Sequence, residues 1–164
     1  MNQNINNLVI RDADIKNRNF EGRQDEYNKE GDRNFTVAIA DPELCGKLAE
    51  DGWNVRVREY DDGTVIGYLK VAVSYKKRPP VIKQVTVRNG KNKIVDIREE
   101  TVGDIDNLDI KNIKLEITPR YWNNNGREGI KAYLKTMYYE LVEDVFAADY
   151  YSDEEDSGAS DLLF

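Results

Sequence analysis

Apolar residues recur at every second position in one segment after another, and this period constrains the fold more than any other feature. Phe35, Val37 and Ile39 alternate with Thr36 and Ala38. Trp53, Val55 and Val57 alternate with Asn54, Arg56 and Arg58. Leu69, Val71 and Val73 face away from Tyr68, Lys70 and Ala72, and Ile113, Leu115 and Ile117 repeat the pattern. Each such segment is a strand with one buried face. Turn formers separate them: Asp61-Asp62-Gly63, Asn89-Gly90 and Asn123-Asn124-Asn125-Gly126, with Arg78-Pro79-Pro80 as a breaker. Residues 8–10 and 15–20 read as further short strands. Residues 101–112 read as acidic and irregular, with room for a helical turn.

One segment departs from this period. Asp41 followed by Pro42 is a capping residue with proline at the first helical position. Leu44, Leu48 and Ala49 make one apolar stripe and Gly52 ends it, which predicts a short helix over 42–51. Residues 130–141 fit both periods, since Ile130, Leu134, Met137 and Leu141 would also form a helical stripe. The Asn-Gly turn before them, their tyrosines and Thr136 favour a strand. The expected fold class is mainly β: about seven strands with one short helix in a closed or partly closed β-barrel, and a β-sandwich as the competing architecture.

Of the 31 acids, six lie between residues 149 and 164, where there is no base. Residues 1–148 then carry 25 acids against 24 bases, so the net charge of −7 is concentrated at one end. This predicts a near-neutral nucleic-acid-binding domain over 1–148 and a disordered acidic interaction tail over 149–164. No stretch is apolar and long enough to span a membrane, and the Asn-rich start does not read as a secretory signal, so the chain reads as cytoplasmic. A single cysteine, Cys45, supports neither a disulfide framework nor a thiolate metal site. The chain has no histidine, which removes imidazole-based hydrolases and histidine–metal nucleases. No cofactor is expected, and the chain does not read as an enzyme.

Three strands carry bases and aromatics opposite their apolar residues. The first offers Arg56, Arg58 and Tyr60; the second Tyr68 and Lys70, with Tyr75, Lys76, Lys77 and Arg78 at its end. The third offers Lys131, Tyr133, Lys135 and Tyr139, and Tyr121 and Trp122 flank the Asn-rich turn beside Arg120 and Arg127. Single-stranded nucleic acid exposes phosphates, which bases neutralise, and flat base faces, on which aromatics stack without regard to sequence. Trp53 falls on the apolar side of its strand and reads as core.

The end of the chain is a second device. Asp153, Glu154, Glu155 and Asp156 form a charge run, and Asp161, Leu162, Leu163 and Phe164 end the sequence. A plain solvating tail does not explain three consecutive apolar residues. An acidic peptide ending in phenylalanine suits docking in a basic-rimmed apolar pocket of a partner, or lying over the chain's own basic face as a competitor of DNA.

These features resemble the OB-fold single-stranded DNA-binding proteins of bacteria and their phages, which pair a stacking barrel with an acidic tail. The bacterial tip ends in acids, isoleucine, proline and phenylalanine. Here Asp153, Glu154, Glu155, Asp156, Asp161 and Phe164 match, while Leu162 and Leu163 replace the proline-containing tip, as in the phage type. Residues 34–41, 51–55 and 129–138 are similar to phage proteins placed near this group. The resemblance implies a mainly β, OB-fold-like barrel of about five to seven strands with one short helix, and sequence-independent binding of single-stranded DNA in replication, recombination or repair. It also implies recruitment of replication or recombination proteins through the tail, and it is compatible with a homo-oligomer.

Two rivals belong to other classes. A protein-interaction or DNA-mimic module inhibiting a host enzyme would suit the net charge, but a mimic spreads its acids over the folded surface. A magnesium-dependent nuclease could use Asp104, Asp106 and Asp109, although their spacing lacks the glycine and distal glutamate of a calcium loop.

Overall fold

A computed structural model describes residues 5–143 together with Phe146 and Asp149. The acidic tail and its Leu-Leu-Phe tip lie outside the described residues. The described residues form nine strands in one sheet: β1 (Leu8–Ile10), β2 (Asp14–Asn19), β3 (Arg33–Ile39), β4 (Val55–Glu59), β5 (Val65–Val73), β6 (Val81–Arg88), β7 (Lys91–Asp96), β8 (Ile110–Asn124) and β9 (Arg127–Leu141). Helix α1 (Pro42–Asp51) falls where the sequence places it, with the Asp41 side chain accepting from the Glu43 amide and Gly52 closing the end at φ 106°.

The pairing order runs β1-β8-β9-β5-β3-β2, and its two ends adjoin in the chain. β1 pairs with β8, β2 pairs with β3, and the Ala13 amide donates to the Ile113 carbonyl at 2.9 Å. Residues 8–19 thus close the ladder into a circuit. Its interior takes the apolar side of each strand: Phe35, Val37, Leu69, Val71, Ile117, Ile130 and Met137 are buried, and Phe20 stacks on Phe35 with centroids 5.2 Å apart. Gly67 lets α1 approach β5, because a side chain there would overlap the Cys45 sulfur. Cys45 itself is half-buried and donates weakly to the Ile39 carbonyl.

Three expectations are revised. Among the described residues nine strands are present where about seven are expected, because the two short segments β1 and β2 both pair into the sheet and β6 and β7 run on as a hairpin past the ladder with β9. The acidic stretch is a full 3₁₀ segment, Glu99–Asn107, which buries Val102 and Ile105. Its Asp106 accepts from the Phe20 amide at 2.7 Å and the Glu21 amide at 3.2 Å and lies 3.8 Å from the Arg23 guanidinium, so this carboxylate is committed to the chain's own backbone and to Arg23.

Tyr139 is the third revision. Strict alternation from Tyr133 puts it outside, yet it is buried at 1% exposure. The β8–β9 register slips between Glu116 and Ile117, opposite residues 134–136, so β9 buries Ala132 and Leu134 before the slip and Met137 and Tyr139 after it. The Tyr139 hydroxyl donates to Gln84 Oε1 at 3.1 Å, and burial raises its pKa from 10.0 to about 12. A phenol held neutral in the fold, and ionising earlier when unfolded, contributes stability fully below pH 10 and loses it as pH rises toward 12. Urea midpoints at pH 9 and pH 11.5 should therefore fall further for the natural chain than for Tyr139→Phe. Equal losses would exclude this group as a source.

Candidate nucleic-acid interface

The outer face of the sheet is built by register. Arg56 of β4 stands opposite Tyr68 of β5, which stands opposite Ala38 of β3. Lys70 pairs with Thr36, and Ala72 pairs with Asn34 on one side and Tyr133 of β9 on the other. Tyr133 pairs in turn with Thr118, and Lys131 with Arg120. Paired residues share a face and neighbouring strands lie about 4.8 Å apart. The aromatic and basic residues of β4, β5, β8 and β9 thereby form one continuous row that crosses at Ala72–Tyr133. A sequence read strand by strand cannot supply this adjacency, because β5 and β9 are parallel and far apart in the chain.

Cations sit against the rings of this row. The Arg58 guanidinium lies 4.9 Å from the Tyr60 ring centre. Arg120 and Lys131 both stand over Tyr133, at 5.0 Å and 5.2 Å. The hydroxyls of Tyr60 and Tyr68 share a hydrogen bond, which raises the Tyr68 pKa. Both side chains of each cation–ring pair keep surface for a ligand, the cation for a phosphate and the ring for a base.

The turn at Asn125-Gly126 has both residues at positive φ, 53° and 81°, the twist that suits a two-residue hairpin. Alternation then separates the two aromatics near this tip. Trp122 pairs with Gly129 on the same face as Arg120, Lys131 and Tyr133. It is 43% exposed, and its indole lies flat enough on Gly129 that an added Cβ would sit 3.0 Å from it. Tyr121 turns to the opposite face and donates to Glu128 at 2.5 Å, a bond that raises the tyrosine pKa and lowers that of the glutamate.

Other candidate residues lie off the row. Tyr75 has the parity of the core, packs partly against it, and lies with the Arg33 guanidinium 5.4 Å from its ring; burial raises its pKa. Lys76, Lys77 and Arg78 are exposed in the connection after β5. Lys135 is exposed on β9 but paired with Glu116 at 3.4 Å; Glu116 also accepts from Asn7, and that bond first and Lys135 second hold its pKa down. Trp53 is core, buried at 4% exposure beside Ile130.

Tyr27 was not singled out by the sequence. It is 87% exposed on the loop before β3, in a stretch that reads only as charged and turn-rich. Asn28 ties that loop down, donating to the carbonyls of Arg23, Lys29 and Asp32 and accepting from Asn34 at 2.9 Å. Asn34 pairs with Ala72, so the loop that carries Tyr27 is anchored at the β3 side of the row.

A family model for the phage ssDNA-binding domain matches residues 1–159. The chain belongs to that family. The family is a non-enzymatic one that binds single-stranded DNA, and the resemblance drawn from the sequence is borne out at this level. The fold is similar to the single-stranded DNA-binding protein of bacteriophage Enc34. The form in complex with ssDNA superposes with a TM-score of 0.51 at 8% identity, covering 85% of this chain and 88% of that one. A C-terminal truncation of the same protein gives 0.50 at 8%, covering 85% and 87%. Gp2.5, the single-stranded DNA-binding protein of bacteriophage T7, gives 0.37 at 12%, covering 90% and 94%. At these identities the Enc34 likeness shows the fold alone. No curated protein matches the sequence. Among the described residues no helix is long and apolar enough to cross a membrane.

Proposed function

We propose that this member of the family binds single-stranded DNA without sequence preference along the outer row, from Arg56, Arg58, Tyr60, Tyr68 and Lys70 through Tyr133 and Lys131 to Trp122. The observation that carries this reading is the crossing at Ala72–Tyr133, which joins two basic-aromatic clusters into one track. Exposed bases neutralise the phosphates and rings stack on the bases, so affinity falls with salt while base identity matters little. Arg120, beside the Asn-rich turn, and the exposed Tyr27 are assigned to the same track. Lys76, Lys77 and Arg78 supply charge at its flank, and Tyr121 backs the hairpin tip. The setting is phage replication, recombination or repair. The Enc34 protein has a structure in complex with ssDNA, which supports the same ligand here.

The acidic end is assigned a second role, from its sequence. Asp153, Glu154, Glu155, Asp156 and Asp161 attract a basic-rimmed site on a replication or recombination protein, and Leu162, Leu163 and Phe164 fill an apolar pocket there. The DNA-mimic alternative is disfavoured because residues 1–148 are nearly balanced, 25 acids against 24 bases, and the excess negative charge lies at the chain's end.

Tryptophan fluorescence tests the track. Of the two tryptophans only Trp122 is exposed, so oligo-dT should quench emission in the natural chain and not in Trp122→Phe. Quenching that persists in Trp122→Phe would place the ligand elsewhere.

A further inference from the structure

β7 is an open edge. Among the described residues it pairs only with β6, and all of Lys91–Asp96 is exposed, with Ile94 at 52%. An unpaired edge carrying apolar side chains is a template for another strand. The β6–β7 hairpin turns at Asn89-Gly90, both at positive φ, with Arg88 facing Lys91. In a two-residue hairpin that closing pair is hydrogen-bonded and bonded pairs then alternate. Thr86–Lys93 and Gln84–Val95 are therefore bonded pairs, and Asn92, Ile94 and Asp96 direct their amides and carbonyls to the open side.

We propose that this edge joins two copies of the chain, β7 against β7, antiparallel about a two-fold axis at Ile94. The choice of occupant and register comes from charge. With the axis at Ile94, Ile94 meets Ile94 of the second copy, Asn92 meets Asp96, and Lys93 meets Val95. No like charges stand opposite one another, and both β7 apolar residues are covered. With the axis at Lys93, Lys93 would face Lys93. With the axis at Asn92, Lys91 would face Lys93. An axis at Val95 leaves only residues 94–96 of β7 paired. Like charges directly opposite are destabilising, so the two lysines act as selectors that leave one long register. The edge of β4 is different in kind, since its Arg56 and Arg58 belong to the nucleic-acid row.

The contact is isologous, so it closes as a dimer and does not grow into a fibre. One short strand pair falls below the area of a stable interface, about 1,000 Å², so the dimer is weak and exchanges rapidly. A covalent trap captures such a species. The test uses the full chain without DNA, so its outcome is independent of the binding track. Cys45→Ala is combined with Ile94→Cys in one variant and with Lys91→Cys in a second, in a glutathione buffer. Bonded antiparallel partners lie about 5.5 Å apart at Cα, within reach of a disulfide. The expected result is a disulfide-linked dimer from Ile94→Cys and only background from Lys91→Cys, whose opposite number would be Ile97. Equal yields from the two, or no dimer from Ile94→Cys with its circular dichroism unchanged, would overturn the proposal. Sedimentation supplies a second reading: Ile94→Lys, which places two like charges on the axis, should lower the average mass of the concentrated protein, and an unchanged mass contradicts the contact.

Discussion

Replacing Tyr133 by alanine should weaken binding to oligo-dT by roughly 5- to 150-fold, the loss of about 1–3 kcal/mol of base stacking. Tyr133 stands where the two halves of the row meet, beside Ala72 of β5 and Thr118 of β8. Its ring is approached by both Arg120 and Lys131, so the substitution also releases two cations from a fixed position. The side chain is half-buried on the outer face and takes no part in the interior cluster, so the fold should persist. Tyr133→Phe keeps the ring and should bind within a few-fold of the natural chain. Full affinity in Tyr133→Ala, measured by titration with a labelled oligonucleotide, would remove this residue from the track. A lost circular-dichroism signal would make it structural.

Removing residues 149–164 should raise affinity for the same oligonucleotide at low salt by on the order of tenfold, with the gain fading as salt is added. The deletion takes away six acids and no base and leaves 25 acids against 24 bases. A near-neutral domain meets a polyanion with less repulsion and no tethered competitor. Deleting only Leu162, Leu163 and Phe164 leaves every acid in place. That shorter deletion should keep DNA affinity unchanged while abolishing capture of a replication partner. Equal affinities for the natural chain and the long deletion at low salt would exclude competition by the acidic end.

Much of the fold was legible because its signals are local. Asp41, Pro42 and Gly52 mark the helix ends wherever they occur, and Asn89-Gly90 and Asn125-Gly126 turn a chain without help from the rest of the molecule. The period of two assigns Tyr68, Lys70, Lys131 and Tyr133 to an outer face for the same reason. What depends on distant partners was not legible. Tyr139 is misassigned because a slip in the β8–β9 register reverses its side, and nothing in the residues around it announces the slip. Tyr75 shares the core's parity, yet a lysine-rich neighbourhood drew it toward the surface. The alternation that separates Tyr121 from Trp122 was available in the sequence, but their proximity in the chain outweighed it. Tyr27 carried no signal, since its place beside the row rests on Asn28 reaching Asn34.

The site follows the same division. Each strand's device was readable alone, whereas the continuity of the row needed the parallel β5–β9 pairing and the closure through residues 8–19. The 3₁₀ segment Glu99–Asn107 reads in the sequence as an acidic, irregular stretch with room for no more than a helical turn, because its two buried residues, Val102 and Ile105, are too few to show a period.

Fluorescence anisotropy with labelled poly-dT and with a duplex of equal length, at low and moderate salt, addresses the binding of single strands most directly. Salt-sensitive binding of the full chain to poly-dT, tighter than to duplex and matched by mixed-sequence single strands, is the outcome that follows from a row of exposed bases and stacking rings. Equal or tighter binding to duplex, or no binding to poly-dT at low salt, would contradict it.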